Sequence, residues 1–339
     1  MLKIIFSLIG FLLTISPVYA NYTLIVPSPK GTGTAIWGDI VAKELSKYLK
    51  EKIVIVNIKG GKGNLGLETF KVKYKNDPKA ILLAHGGNAT QWLINDVKWS
   101  FKDWNPIVVQ PYNITTTIKK GFDWKNERLN LADCSGCVPE TLAWAMLKGW
   151  DNINFIRKMS ASEAKTAWLR GDFKYIREPA SRHIKNTLEL VKNGNAIRLF
   201  NHGIYTTEGF IQDYNWPDTP TAIELYKRTY GIYPSGDIYE AYLLSAVWRD
   251  GLQKALFMHK NSHSDDVIKA FTEMLYNEDS KNYLISKLGD YPMFIGAASN
   301  KVMDSLYNYV TPKRLKTLVA FARDTMKWST ATYVHNKTN

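Results

Sequence analysis

The stretch Ile53-Val54-Ile55-Val56-Asn57-Ile58-Lys59-Gly60-Gly61-Lys62-Gly63-Asn64-Leu65-Gly66 decides the fold. Four β-branched residues read as a buried strand, the glycines as a loop, and Leu65 to Lys73 as a helix. The same unit stands on either side. Upstream, Tyr22 to Val26 is a short apolar strand and residues 27–33 form a loop. Ala35 to Lys50 is then a helix with Ile36, Ile40, Val41, Leu45, Tyr48 and Leu49 on one face and Thr34 as its expected N-cap. Downstream, Ala80 to Ala84 is a third strand, followed by the loop His85-Gly86-Gly87-Asn88. Strand, polar loop and helix recurring in this order predict βαβ units and a parallel α/β sheet.

Further along, residues 107–118 form an extended stretch around Pro111, long enough to cross between two lobes. The α/β alternation then resumes. Strands are expected over Leu129 to Ala132, Ile153 to Ile156 and Phe173 to Ile176. Helices are expected over Pro139 to Gly149, Ser162 to Leu169 and Ser181 to Lys192. Gln253 to Met258 is strand-like and is placed to return to the first lobe. Three helices are expected to close the chain, beginning at Ser264, Lys301 and Thr311-Pro312.

The 339 residues carry 44 Lys and Arg against 31 Asp and Glu, a formal charge of +13, with 45% apolar residues. This excludes disordered, collagenous and coiled-coil classes. The positive excess is spread rather than clustered, so it argues for attraction of anions generally and against nucleic acid. The scattered aromatics read as core. Residues 1–20 have the layout of a secretory signal peptide: Lys3, an apolar run over residues 4–15, then small residues at Val18 and Ala20. Cleavage and export are expected after Ala20, and no later stretch reaches a spanning length.

A glycine loop between strand and helix frees backbone N–H groups at the carboxyl end of a sheet, where anions bind. The loops at 28–34, 60–64 and 85–88 offer Ser28, Lys30, Gly31, Thr32, Thr34, Gly61, Gly63, Asn64, His85 and Asn88 as ligand-binding candidates. The P-loop spacing is missing. Gly61, Gly63 and Gly66 formally spell a dinucleotide pattern, but no acidic residue ends a second strand to hold a ribose. No cofactor is expected, and no metal. His259 and His263 have a zinc pair's spacing without a Glu between them, and read as surface histidines.

These residues resemble a family. Asn57, Gly60, Gly63, Asn64 and Gly66 fall on fixed positions of the V-E-N-R-P-G-A-G-G-N-I-G signature of the periplasmic receptors of tripartite tricarboxylate transporters, the Bug-type receptors. Further matches follow in order: Phe101-Lys102-Asp103-Trp104, Cys134-Ser135-Gly136-Cys137, Leu169-Arg170-Gly171 and Pro220-Thr221-Ala222-Ile223-Glu224-Leu225. Together they span nearly all of the chain after residue 20. The resemblance implies an α/β type 2 periplasmic-binding-protein fold, with two α/β lobes, a hinge and a central ligand cleft. Lobe 1 would comprise 21–110 and 251–339, lobe 2 residues 111–250. It also implies a monomer that captures a small mono- or dicarboxylate and delivers it to the transporter's membrane permease, without catalysis. Ser135, Ser160 and Arg177 would close on the ligand from lobe 2.

The chain departs from the family pattern at several points. Ala35 replaces an acidic residue, Thr32 a glycine, Ile58-Lys59 an Arg-Pro, and Lys174 an acid. Lys62 enters the second loop, Arg157 to Ser160 replace P-Y-K-G, and residues 228–252 are longer. Several of these changes add positive charge, in keeping with an acidic ligand. Cys134-x-x-Cys137 in an exported chain reads as a local structural disulfide; the alternatives are a redox pair or two reduced thiols. Two other readings stay open: a periplasmic enzyme, thiol–disulfide or hydrolytic, and a ligand-sensing partner of a signalling receptor.

Overall fold

The computed structural model describes residues 21–132, 137–156, 159, 161–334 and 337. The expected signal peptide, Cys134, Ser135 and Ser160 lie outside the described residues. Among those described, no helix is long and apolar enough to cross a membrane.

The first lobe is built as the alternation predicts. It runs β1 (Tyr22–Val26), α1 (Gly33–Leu49), β2 (Ile53–Asn57), α2 (Asn64–Lys73), β3 (Ala80–His85), α3 (Gly86–Ile94) and β4 (Trp104–Gln110). β1 pairs parallel with both β2 and β3. β3 is central and every apolar side chain along it is buried. Ile81 and Leu83 face α1, while Leu82 and Ala84 face Leu67, Phe70 and Trp92. That is the period of two expected of a strand covered on both faces.

The second lobe contains β5 (Ile114–Lys119), β6 (Leu129–Ala132), α4 (Val138–Lys148), β7 (Ile153–Ile156), α5 (Ala161–Arg170), β8 (Tyr175–Pro179), α6 (Ala180–Asn186), α7 (Leu188–Lys192) and β9 (Ala196–Phe200). β5 lies between β8 and β9, antiparallel to each, and β6 pairs parallel with β7. The hairpin β10 (Ile204–Thr206) and β11 (Gly209–Ile211), then α8 (Ala222–Tyr230) and α9 (Asp237–Gly251), lead back. β12 (Lys254–His259) enters the first sheet between β3 and β4, antiparallel to both. The chain closes with α10 (Ser264–Tyr276), α11 (Glu278–Leu288), β13 (Phe294–Ile295), α12 (Ala297–Asn308) and α13 (Pro312–Ala320). The first sheet has the order β13-β4-β12-β3-β1-β2. Trp248 of α9 stacks on Trp92 of α3, centroids 4.5 Å apart, so α9 packs on the first lobe while α4 covers its other side.

Several expectations are corrected. β2 is an edge strand with Val54 exposed, not a buried one, because it has a neighbour on one side only. The cap of α1 is Thr32, whose Oγ1 accepts from Ala35 N, and not Thr34. The helix expected over Ser181 to Lys192 breaks at Thr187. The buried Thr187 hydroxyl bonds Glu178 and His183 instead of letting the helix run on. The strand expected over Phe173 to Ile176 is shifted to Tyr175–Pro179 by its pairing with β5. Among the described residues four α-helices, not three, follow β12; the unexpected one is α11, four of whose eleven residues are charged and which buries only Ser280, Leu284 and Leu288. The loop read at 85–88 is a strand end running directly into α3.

Candidate functional site

Three turns meet at the carboxyl ends of β1, β2 and β3. In the first, Ser28 is buried, and its carbonyl accepts from Asn57 Nδ2 at 3.1 Å, tying the turn to β2. The second winds through positive φ at Gly60, Gly61, Lys62 and Gly63. Gly63 is required twice over: its φ is +98°, and a Cβ there would stand 2.5 Å from Asn88 Nδ2. The third turn is the start of α3. His85 Nδ1 accepts from Gly87 N at 3.0 Å, and Asn88 Oδ1 accepts from His85 N at 3.1 Å, a reciprocal cap. Nδ1 is therefore the acceptor, and Nε2 carries the proton, directed at Pro27 O and Ser28 Oγ.

The cap leaves Asn88 Nδ2 fully buried and without a hydrogen-bond partner. Two more amide donors nearby are in the same condition, Gln110 Nε2 and Gln253 Nε2. Buried donors without a partner are rare, because each costs about 1–3 kcal/mol. Gln110 accepts from Trp37 Nε1 at 2.7 Å, which fixes its free N–H₂ end.

Between these amides lies Lys254. It is opposite His85 on one side and opposite Gln110 on the other, so the three side chains share one face of the sheet. Lys254 is 2% exposed. Its Nζ donates to Gln253 O at 2.8 Å and to Gln253 Oε1 at 3.2 Å, and lies 5.0 Å over the Tyr112 ring. Among the described residues no carboxylate is paired with it. Burial, and then the charge of Arg249, push its ammonium down to about 7, against a weaker pull from Asp250. The same burial, with Lys254 and Arg249, pushes the His85 imidazole down to about 3.

Behind Lys254 is a buried ionic network. Arg249 Nη2 donates to Glu140 Oε1 at 2.7 Å and Nη1 to Asp250 Oδ1 at 2.5 Å. Arg177 Nη1 reaches Glu140 Oε1 at 3.5 Å, and His202 Nε2 lies 3.7 Å from it. Burial opposes the charge on Glu140, but Arg249 and Arg177 outweigh it and hold the carboxyl well below its usual range. Arg182 pairs with Glu178 at 3.6 Å. Among the described residues Arg249, Arg177 and Arg182 each pair with a carboxylate, and Lys254 does not. The two lobes meet at the first turn of α1, where Gly33 packs on Pro179 and Arg182. Ser181 lies beside the Tyr112 hydroxyl.

The structure thus brings Ser28, Gly63, His85 and Asn88 together. Asn64 is half-buried with Oδ1 unpartnered, and Thr34 is buried in the first turn of α1. The Thr32 hydroxyl is committed to capping and to Pro29 O, while Lys30, Gly31 and Gly61 are exposed. Arg177 donates to Cys137 Sγ at 3.0 Å as well as to Glu140. Cys137 is disulfide-bonded. His263 is exposed, while His259 is half-buried: it ends β12 and stacks on Phe70 at 4.3 Å. Among the described residues no cluster of His, Cys, Asp and Glu is suited to a metal. Sequence reasoning missed Glu140, Arg249, Gln110, Gln253 and Lys254. The signal was present in Arg249-Asp250-Gly251-Leu252-Gln253-Lys254, a polar run leading into an otherwise apolar strand.

Compared by sequence, the chain matches no family model and no curated protein. Compared by fold, it is similar to the solved structure of the periplasmic binding protein BugD. The TM-score is 0.62 at 15% identity, over 92% of this chain and 99% of that one. It is also similar to MatC from Rhodopseudomonas palustris with bound malate: TM-score 0.56, 16% identity, 87% of this chain and 98% of that one. A third is an R. palustris protein with adipate: TM-score 0.60, 14% identity, 89% of this chain and 98% of that one. The resemblance read from the second glycine loop therefore holds at the level of the fold, and the chain has the two-lobed α/β fold of these binding proteins.

Proposed function

We propose that the chain is an extracytoplasmic solute receptor that captures a small mono- or dicarboxylate between its lobes. One observation carries this reading: among the described residues the buried ammonium of Lys254 has no carboxylate partner, and it stands among amide donors that have no hydrogen-bond partner. An isolated buried cation is costly unless an anion joins it. A carboxylate of the cargo supplies that anion and accepts from Asn88, Gln110 or Gln253. The bound malate and adipate of the two R. palustris structures agree with this class. Signal-peptide cleavage after Ala20 places the chain in the periplasm. Lobe 1 (21–110 and 251–339) and lobe 2 (111–250) close by a hinge motion. The cargo then passes to the permease of a tripartite tricarboxylate-type transporter, with no bond made or broken.

The test is a thermal-shift screen of residues 21–339 against small carboxylates, with sugars, amines and nucleotides as controls. A ligand at a hundredfold its Kd adds about 2.7 kcal/mol, readily seen as a raised melting temperature. A shift confined to carboxylates supports the reading; a shift confined to another class retains the fold and removes the cargo. Loss of carboxylate uptake on deletion of the gene separates transport from sensing.

A further inference from the structure

The second lobe holds a cavity of about 170 Å³ that shares Arg177 and Arg182 with the network described above. Its walls are apolar: Met159, Ala164, Phe173 and Ile176. Its polar rim is Arg177 and Arg182, whose side chains are only 19% and 20% exposed. Pro179 and Arg182 line the cavity and also touch Gly33 of α1, and the neighbouring Ser181 sits at Tyr112. The segment 179–182 is therefore a wall shared by the apolar cavity and the polar cleft.

We propose that the cargo is a carboxylate carrying a compact apolar body, about one aromatic ring in size, which fills this cavity while its charged end stays in the cleft. The inference rests on the carboxylate reading and narrows it. An apolar cavity of about 150 Å³ takes a benzene ring, so the volume suits one ring. A short dicarboxylate has no apolar group to place against these walls. A second carboxylate can meet Arg177 and Arg182 at the rim, but carried further in it would have to give up water against Met159, Phe173 and Ile176, which offer no hydrogen bond.

The experiment is calorimetric titration of residues 21–339 with benzoate, phenylacetate, acetate, malate and adipate, repeated on Ala164→Phe, which fills the cavity. Burying one ring is worth about tenfold to a hundredfold in affinity. Benzoate or phenylacetate is expected to bind at least tenfold more tightly than acetate. Ala164→Phe should remove that advantage and leave malate and adipate unchanged. Should the variant fail to fold, the wild-type ratio of benzoate to acetate decides alone. Tight binding of malate or adipate with no preference for the ring-bearing acids overturns the inference and leaves the carboxylate reading standing. So does a variant that melts higher but binds benzoate unchanged, since the cavity is then a packing void. Binding of no carboxylate at all overturns both.

Discussion

Lys254 and His85 stand directly opposite one another on antiparallel β12 and β3, and burial suppresses the proton on each. Two adjacent bases in one dry place cannot both be charged, and the tautomer of His85 is already fixed by Gly87 and Pro27. The ammonium is therefore the group that an arriving anion recharges.

Replacing Lys254 with Met keeps the stem and removes the charge. Carboxylate affinity is expected to fall at least a hundredfold. The unliganded protein should melt at the same temperature or higher, because an unpaired buried charge has been relieved. Unchanged affinity in Lys254→Met would show that the ligand lies elsewhere.

The pH dependence of binding follows from the same residue. Free, Lys254 titrates at about 7; paired with a carboxylate, its charged form is favoured and the value rises. Binding above pH 7 must then take up a proton, and affinity drops up to about tenfold per pH unit. Titration at pH 8 in buffers of different ionisation heat should register that uptake. Lys254→Arg, charged throughout, should bind with no pH dependence between 7 and 9. Equal proton uptake in wild type and variant would assign the titration to another group.

How far the sequence reached depends on what each element needed. β1, β3 and the helices α1 and α4 were legible because apolar residues recur with the right period. The second glycine loop was legible because its positive φ values favour glycine, as at Gly60 and Gly63. His85 and Asn88 were placed near the ligand for their position after a strand. Lys254, Gln110 and Glu140 were not legible. Their neighbours are set by the antiparallel insertion of β12 between β3 and β4, and by α4 packing on α9 across more than 100 residues. No local pattern encodes such pairings. Thr187 hid the break between α6 and α7 for the same reason, its partner Glu178 lying on β8.

Stability in acid tests the buried histidine. His85 is held at about 3 in the folded chain against 6.5 unfolded. The unfolded state therefore binds more protons between these values, so stability is full above pH 6.5 and declines as pH falls toward 3. His183, held at about 4 by burial and then Arg198, adds to the same slope. His85→Asn keeps an acceptor for Gly87 N and should flatten the decline of the urea midpoint between pH 6.5 and 4. A decline as steep as the wild type's would place the acid sensitivity outside His85.

Glu140 is the shared acceptor of Arg249 and Arg177, fully buried in the first turn of α4. Glu140→Gln leaves both guanidiniums undercompensated and should destabilise the chain by about 3–5 kcal/mol. Adding Arg249→Met should recover part of that loss, a coupling of about 0.5–3 kcal/mol in a double-mutant cycle. Strictly additive losses in denaturant titrations would mean that the network is not a unit.

Gly63 tests whether the second and third turns form one rigid wall. Gly63→Ala meets a φ of +98°, the Asn88 amide 2.5 Å away and, less severely, the Pro27 carbonyl oxygen at 3.2 Å. Gly121 has a similar φ of +81° with nothing within 4 Å, so Gly121→Ala carries the strain alone, about 1 kcal/mol. Gly63→Ala is expected to cost about 1–2 kcal/mol more. It should also weaken carboxylate binding, because Asn88 must swing away to admit the methyl group. Gly121→Ala should bind as the wild type does. Both quantities come from one set of melting curves, taken with and without ligand. Equal destabilisation by the two substitutions would mean that Asn88 gives way freely, and that its unpartnered amide is not held in place for a ligand.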